Sequence, residues 1–425
     1  MCRRRRPLRY KLLILQQNGF HCHSAFIFSH VMKTYLLIFS VIMTFSAVNC
    51  GCQQNGVAEV FCDSSLVTYD FSTIIESDTI SLDDLIDTVG VIKLETTTES
   101  LLSKIRQIVI GNDYIYVLDY LSGGGVAIFD RISGSFVRRL SVGNGPADIY
   151  VPQSISFNRN TDELVVGMWQ IVKVFSSNGE YIRSFTLPFM IQDILCCDGG
   201  YLLSQLPSQN SRNRFSVIHT DSVFNIKKVF FSTANVAECI TSYPFCHLAD
   251  GSFIICQPFN YLLFSYDYET FKPAIALDLG ERQFLTDNLL DYQEFFSKFK
   301  DTDVAFFGVF SEIFNYQYFS FETGDTKMID VYYNKPSGRM RCGYKLTDIL
   351  SDNLICCSQF AGAYNNCFVG YFSWDSFSPD CDKSTLFVNT GNLTQDVVDK
   401  VKSLKEDDNP LIILYRLKDI PIDTE

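Results

Sequence analysis

Past residue 50 the chain carries two histidines, His219 and His247, so any Ser–His or Cys–His nucleophile pair would have to use one of them. Each sits beside apolar, strand-like residues, which is the setting of a core or surface histidine rather than a general base. No G-x-S-x-G elbow accompanies them. Two histidines are also too few for a His-rich metal site, and no C-x-x-C pair marks a zinc ribbon or a thioredoxin motif. A phosphate cradle is missing as well: there is no Gly-Lys dipeptide, and Gly143-x-Gly145 lacks a third glycine. Calcium asks only for carboxylates and carbonyls. Asp301-x-Asp303 and Asp380-x-Asp382 are acidic loops of that kind, but Ala305 and Ser384 occupy the positions where an EF-hand places its next ligands. Both loops read as solvated charge.

The cysteines with a distinct chemical context stand near the N-terminus. Met32-Lys33, the apolar run 36–48 and Cys50-Gly51-Cys52 together resemble a bacterial lipoprotein signal peptide, spanning 32–51. The run is too short for a stable membrane span. In such a signal a peptidase cuts before a lipid-modified cysteine that follows a small residue. Cys52 has Gly51 before it but Asn49 three residues upstream. Cys50 has Ala47 three residues upstream but Asn49 directly before it. Cys52 is the preferred lipidation site and Cys50 its competitor. Residues 1–31 precede a second methionine that opens a complete signal, and they read as an extension of the gene model. Most other cysteines, such as Cys196-Cys197, Cys256 and Cys356-Cys357, lie inside apolar runs and behave as small hydrophobes.

Charge narrows the partners. The chain has 35 basic and 48 acidic residues. Seven basic residues and no acidic one precede Cys50, which leaves 28 − 48 = −20 for the rest. A surface of that sign repels a phosphate backbone, so nucleic acid is not an expected partner.

The elements that would position any site are strands. Hydrophobic residues make up 47% of the chain, with 37 Phe and 22 Tyr, which excludes wholesale disorder and suits pleated, half-buried surfaces. After a polar tether over 52–87, a unit of four strand-like runs extends from Ile105 to Pro146, with turns at Gly111-Asn112-Asp113, Gly123-Gly124-Gly125 and Gly134. The next segment repeats it: VAIFDRISGSFVRRL lies beside VKVFSSNGEYIRSF. Weaker copies run over 191–231, 245–279, 306–333 and 344–374. A period of about 40–45 residues is that of propeller blades, which cannot cover their own faces and stack around a channel. The reading is all-β: a six-bladed β-propeller over 88–425 with two short helical insertions, at 286–300 and 393–405. Ring closure falls to the run 411–417 or to 91–94.

Val91-Ile92-Lys93-Leu94-Glu95-Thr96, the YIYVLD run ending at Asp119, Gly143-Asn144-Gly145-Pro146 and Asn409-Pro410-Leu411 appear in the order seen in a known family. The chain resembles the six-bladed, NHL-like β-propeller lipoproteins of Gram-negative gut bacteria, a domain of unknown function. The resemblance spans about 85–417. It implies the fold and an outer-membrane lipid anchor at the periplasmic or surface face, and implies no reaction. The family's acidic residue and glycine after Gly-Pro are replaced here by Ala147-Asp148-Ile149.

The expected function is a binding or interaction module at the cell envelope, for a glycan, a peptide or a protein, without catalytic or metal residues and without a cofactor. The alternative is a propeller hydrolase or lyase with a carboxylate or calcium site in the channel, built from residues of several blades that no linear scan joins. Convergence of three or more Asp, Glu or Asn side chains at one channel end would favour that alternative.

Overall fold

The computed structural model describes residues 66–72, 85–119, 124–205, 215–232, 244–248, 252–256, 260–284, 297–325, 327–344, 362–374 and 393–419. Two strands come first, β1 (Val67–Asp70) and β2 (Ile86–Lys93). Blade 1 is β3 (Ile105–Ile110), β4 (Tyr114–Asp119), β5 (Gly125–Asp130) and β6 (Phe136–Arg139). Blade 2 is β7 (Ser154–Asn158), β8 (Glu163–Met168), β9 (Ile171–Ser176) and β10 (Tyr181–Thr186). Blade 3 is β11 (Ile191–Cys197), β12 (Gly200–Gln205), β13 (Phe215–Asp221) and β14 (Ile226–Ser232). Blade 4 is β15 (Phe245–His247), β16 (Phe253–Ile255), β17 (Leu262–Tyr266) and β18 (Phe271–Asp278), with β1 added at its outer edge. Blade 5 is β19 (Val304–Glu312), β20 (Tyr316–Thr323), β21 (Met328–Asn334) and β22 (Arg339–Tyr344). Blade 6 is β23 (Gly362–Tyr364), β24 (Cys367–Phe372), β25 (Leu411–Leu417) and, outermost, β2.

The first strands of the blades touch in sequence, β3 to β7 to β11 to β15 to β19 to β23, and β23 returns to β3. The six sheets therefore form a closed six-bladed β-propeller. Six apolar clusters fill the gaps. Tyr116, Leu118, Val126 and Ile128 of blade 1 meet Leu164 and Val166 of blade 2, while Ile115, Val117, Ala127 and Phe129 meet Val369 and Ile412 of blade 6. The run YIYVL is continuously apolar because alternate residues serve two different interfaces, as expected of strands covered on both faces.

The last two blades differ from the expected limits. Blade 5 extends through Tyr344, and blade 6 takes only β23 and β24 from the stretch read as the sixth repeat. Closure uses both candidate strands: β25 pairs with β24 on one side and β2 on the other, Val91 opposite Ile413. Within the expected tether, Val67–Asp70 form a strand parallel to β18, and Tyr69 and Phe71 wedge between blades 4 and 5, with Tyr69 Oη donating to Gln317 Oε1 at 2.7 Å. Covering the blade 4 edge in this way removes a template for stray strand pairing.

The second expected helix is α1 (Gln395–Lys402). Thr394 caps it by accepting from Val397 N, and it buries Val397, Val398 and Val401 against blade 6. The stretch expected as the first helix, 286–300, lies mostly outside the described residues.

The motif residues act as clamps. Asn409, fully buried, donates from Nδ2 to Glu95 O at 2.8 Å and Ser100 O at 3.0 Å, and accepts from Leu102 N at 2.7 Å. It ties the start of β25 to the loop that leads into blade 1. Asp119 accepts from Ser103 Oγ at 2.6 Å and Lys104 N at 3.0 Å, fixing the same loop from the other side. Asn409→Ala is expected to cost about 2–3 kcal/mol, because Ser100 O and Leu102 N lose their side-chain partner and Glu95 O keeps only Ser100 Oγ. Denaturant unfolding of the variant checks this; a loss below about 1 kcal/mol would deny the clamp its role.

Candidate functional site at the channel mouth

The inner strands all run toward one face of the ring, and the turns that follow them crowd around the channel mouth. They enclose a cavity of about 870 Å³. Blade 2 supplies Asn158, Arg159 and Asn160, blade 3 Asp198, blade 4 His247, blade 5 Glu312 and Phe314, and blade 6 Tyr364, Asn365 and Asn366.

The blade 6 turn is made by Asn365 and Asn366, at φ 47° and 59° between the paired residues Tyr364 and Cys367. A two-residue hairpin of this kind needs positive φ at both positions, which asparagine tolerates. Asn366 Oδ1 accepts from Phe314 N at 2.7 Å, holding the blade 5 turn while the Phe314 ring stays 68% exposed at the rim. Arg159 donates from Nη2 to Ile110 O at 2.6 Å, and its guanidinium stands 5.5 Å from the Tyr364 ring centroid. Arg131 of blade 1 stands 5.7 Å from the same ring. Two cation–π contacts fix the tyrosine where three blades meet.

Tyr268, in the turn between β17 and β18, completes the wall at φ 69°. Positive φ is costly for a bulky residue and persists where surrounding structure enforces it. Here Tyr266 Oη donates to Tyr268 O at 2.9 Å, and Tyr268 Oη accepts from Asp198 N at 3.3 Å.

The cavity holds little that could act as a nucleophile or general base. Burial pushes the Cys196 and Cys197 thiols up to about 12, so neither is a thiolate at neutral pH. Crowding by the surrounding protein, with the Arg159 guanidinium adding to it, holds the His247 imidazole below its ordinary range, so the ring is neutral at pH 7. Four asparagines, Asp198 and Glu312 do gather at this end of the channel. Most are engaged locally. Asn158 Oδ1 accepts from Asn160 N at 3.0 Å, Asn160 Nδ2 donates to Asp198 Oδ1 at 3.2 Å, and Glu312 accepts from Gln317 Nε2 at 2.7 Å and pairs with Lys335 at 3.0 Å. Among the described residues no three of His, Cys, Asp and Glu stand together as metal ligands.

A family model described as "Domain of unknown function (DUF4934)" matches residues 66–416. The chain belongs to the DUF4934 family. Its propeller is similar to the solved structure of a Bacteroides fragilis NCTC 9343 protein named "Putative exported protein", at 15% identity, with 83% of this chain and 100% of that one covered and a TM-score of 0.68. It aligns more loosely with BamB from Moraxella catarrhalis, at 11% identity over 68% of this chain and 73% of that one, with a TM-score of 0.35. No curated protein matches the chain.

In this DUF4934 chain the two histidines single out different places. His247 opens into the cavity, and His219 lies on β13 with its Nδ1 2.7 Å from Tyr266 Oη. The Gly143–Pro146 loop lies on the opposite face and is held by Asp148 and by Lys173 of β9. Asp303 of the first acidic loop accepts from Lys300 N at 2.8 Å, a local turn, while Asp380 and Asp382 fall outside the described residues, as do Cys50 and Cys52. Among the described residues six cysteines are free: Cys196, Cys197, Cys246, Cys256, Cys342 and Cys367. Arg159, Tyr268, Phe314 and Tyr364 went unnoticed in the sequence. The one signal available was the Asn365-Asn366 pair, a hairpin turn whose preceding residue faces the channel mouth.

Proposed function

We propose that this protein is an exported glycan-binding propeller, held at the outer membrane by a lipid on Cys52 or Cys50, with its ligand seated at the channel mouth. The cavity rim carries the reading. Tyr268, Phe314 and Tyr364 offer ring faces to the C–H surfaces of sugar rings, and Arg159 and Asn365 offer donors to hydroxyls between them. The signal-like segment 32–51 supports export, and no helix among the described residues is long and apolar enough to cross a membrane. Fold alone would not choose this function, since propellers host many.

A glycan array probed with the purified protein tests the reading, followed by titration of the best binders against Tyr364→Ala. Loss of the ring and of its two cation contacts is expected to weaken binding about tenfold or more, roughly 1.4 kcal/mol or above. An empty array, or a Tyr364→Ala variant that binds every hit unchanged, would overturn it. Because asparagines and two carboxylates gather at the same rim, a calcium titration with thermal melting belongs beside the array. A flat response is expected; a saturating shift would move the reading to the hydrolase or lyase alternative.

A further inference from the structure

A second recess, of about 530 Å³, opens on the same face between blades 3 and 4. It shares Asp198 and Tyr268 with the channel-mouth cavity, so the strained Tyr268 is the partition between the two. Its remaining wall is Gly199, His219 and two ammonium groups, those of Lys227 and Lys228. In a chain that carries −20 past Cys50, this is a local reversal of sign.

The donors here are oriented but not used up. Lys228 Nζ donates once, to Glu269 O across the blade gap at 2.8 Å, and an ammonium has three donors. Lys227 lies 3.9 Å from Asp221, beyond hydrogen-bond length, with its side chain 57% exposed. Asp221 itself is turned to its own loop, accepting from Val223 N and Asn225 N. Tyr266 Oη lies 2.7 Å from His219 Nδ1 and 2.9 Å from Tyr268 O; with its proton given to Tyr268 O it accepts from His219 Nδ1–H, the tautomer that leaves the lone pair on Nε2. Partial burial, then the Lys228 and Lys227 charges, hold the ring below its ordinary range and therefore neutral at pH 7.

Two ammonium groups beside a neutral imidazole acceptor make a specific combination. The ammoniums suit a carboxylate, and the imidazole lone pair suits a neighbouring hydroxyl that donates. An acidic sugar carries both on one ring, and Tyr268 offers that ring a flat face. Asp198 at the junction repels a second carboxylate there and favours a neutral sugar unit between the two recesses.

We infer that this recess is a subsite for an acidic sugar unit, through which the protein selects uronate-containing glycans over neutral ones. The inference rests on the glycan reading of the channel mouth and adds the charge of the ligand. Lys227 and Lys228 bind the carboxylate, His219 Nε2 accepts from a ring hydroxyl, and Tyr268 passes the chain into the larger cavity.

Calorimetric titration of the purified protein with hyaluronan tetrasaccharide, tetragalacturonate and the neutral cellotetraose tests this. At least one acidic probe is expected to bind about tenfold more tightly than the neutral one, and to weaken several-fold between 50 and 200 mM salt, both on the order of what a paired surface charge gives. The Lys227→Gln/Lys228→Gln double variant is expected to abolish that preference while keeping its neutral-sugar affinity, with at most a small fall in melting temperature from the lost Lys228–Glu269 O bond. His219→Gln, which keeps an acceptor, is expected to preserve the preference and His219→Phe to reduce it. Equal affinity for acidic and neutral probes, or a preference that survives the double variant, overturns the acidic subsite and leaves the glycan reading intact. No binding of any probe, with an empty array, overturns both.

Discussion

Lys173→Met is expected to cost about 2–4 kcal/mol of folding stability, although the replacement is close in volume and lies far from the cavity. Lys173 is only 7% exposed, on β9 of blade 2. Its ammonium donates to three backbone carbonyls, those of Gly145 at 3.2 Å, Pro146 at 2.8 Å and Asp148. The same loop folds around Asp148, whose Oδ2 accepts from Gly145 N at 2.8 Å. A Cβ at Gly143 or Gly145 would stand 2.6 or 2.7 Å from that oxygen, which is why the loop needs glycine at both places. The Ser141 hydroxyl and the Gly145 N–H hold the Asp148 carboxyl below the usual carboxylate range. Removing the ammonium takes the side-chain donor from the Pro146 and Asp148 carbonyls and leaves Gly145 O with Asp148 N alone, at 3.1 Å. Urea unfolding of the variant gives the number directly. A loss of less than about 1 kcal/mol would mean that water replaces the ammonium at little cost.

The second large effect concerns the channel wall. Asp193, on the inner strand β11, is 2% exposed, and burial raises its carboxyl to about 7 despite the Ser154 hydroxyl and the Ile194 N–H that it accepts from. The neighbouring link of the wall runs from Ile155 N to Gln107 Oε1 at 2.8 Å, so blades 1, 2 and 3 are joined by one polar chain. A folded-state pKa above the unfolded one means that the folded protein holds the proton more tightly. The contribution to stability is then fully present below about pH 4 and is lost as pH rises to about 7, a span worth up to about 4 kcal/mol. Asp193→Asn keeps a hydrogen-bond acceptor and never ionises. It is expected to match the wild type near pH 4–5 and to exceed it by several kcal/mol at pH 8. Parallel denaturation curves at the two pH values decide it, and an equal offset at both would remove Asp193 as the titrating group.

Legibility of the fold in the sequence followed the strength of its turns. Blades 1 and 2 have glycine-marked turns and uninterrupted apolar runs, and both appear where the repeat put them. Blade 6 does not, because it is assembled from three separate places in the chain and no local period can show that. The strand β1 was hidden for a similar reason: Val67–Asp70 is short, polar at alternate positions, and becomes a strand only by pairing with β18, over 200 residues away. Helix α1 was readable from Val397, Val398, Val401 and Leu404, whose spacing is the buried stripe itself. The candidate site was the least legible part. Blades 2 to 6 each give it a few residues from a turn or strand end, spaced from 40 residues (Asn158 to Asp198) to 65 (His247 to Glu312), and those residues are ordinary turn and strand-end types. Histidine scanning touched both recesses without revealing either, since the value of His219 and His247 lies in neighbours contributed by other blades.

The direction of β1 bears on how the molecule is moored. Outer strands such as β18 run from the cavity face to the opposite face, and β1 lies parallel to β18. The chain therefore joins the ring from the side of the cavity. Fourteen positions in the sequence separate Leu66 from Cys52. Leu66, where the described chain begins, stands on the same side as both recesses. Any lipid carried upstream of β1, as proposed for Cys52 or Cys50, would thus be attached through the ligand-binding side of the ring and not through its far face.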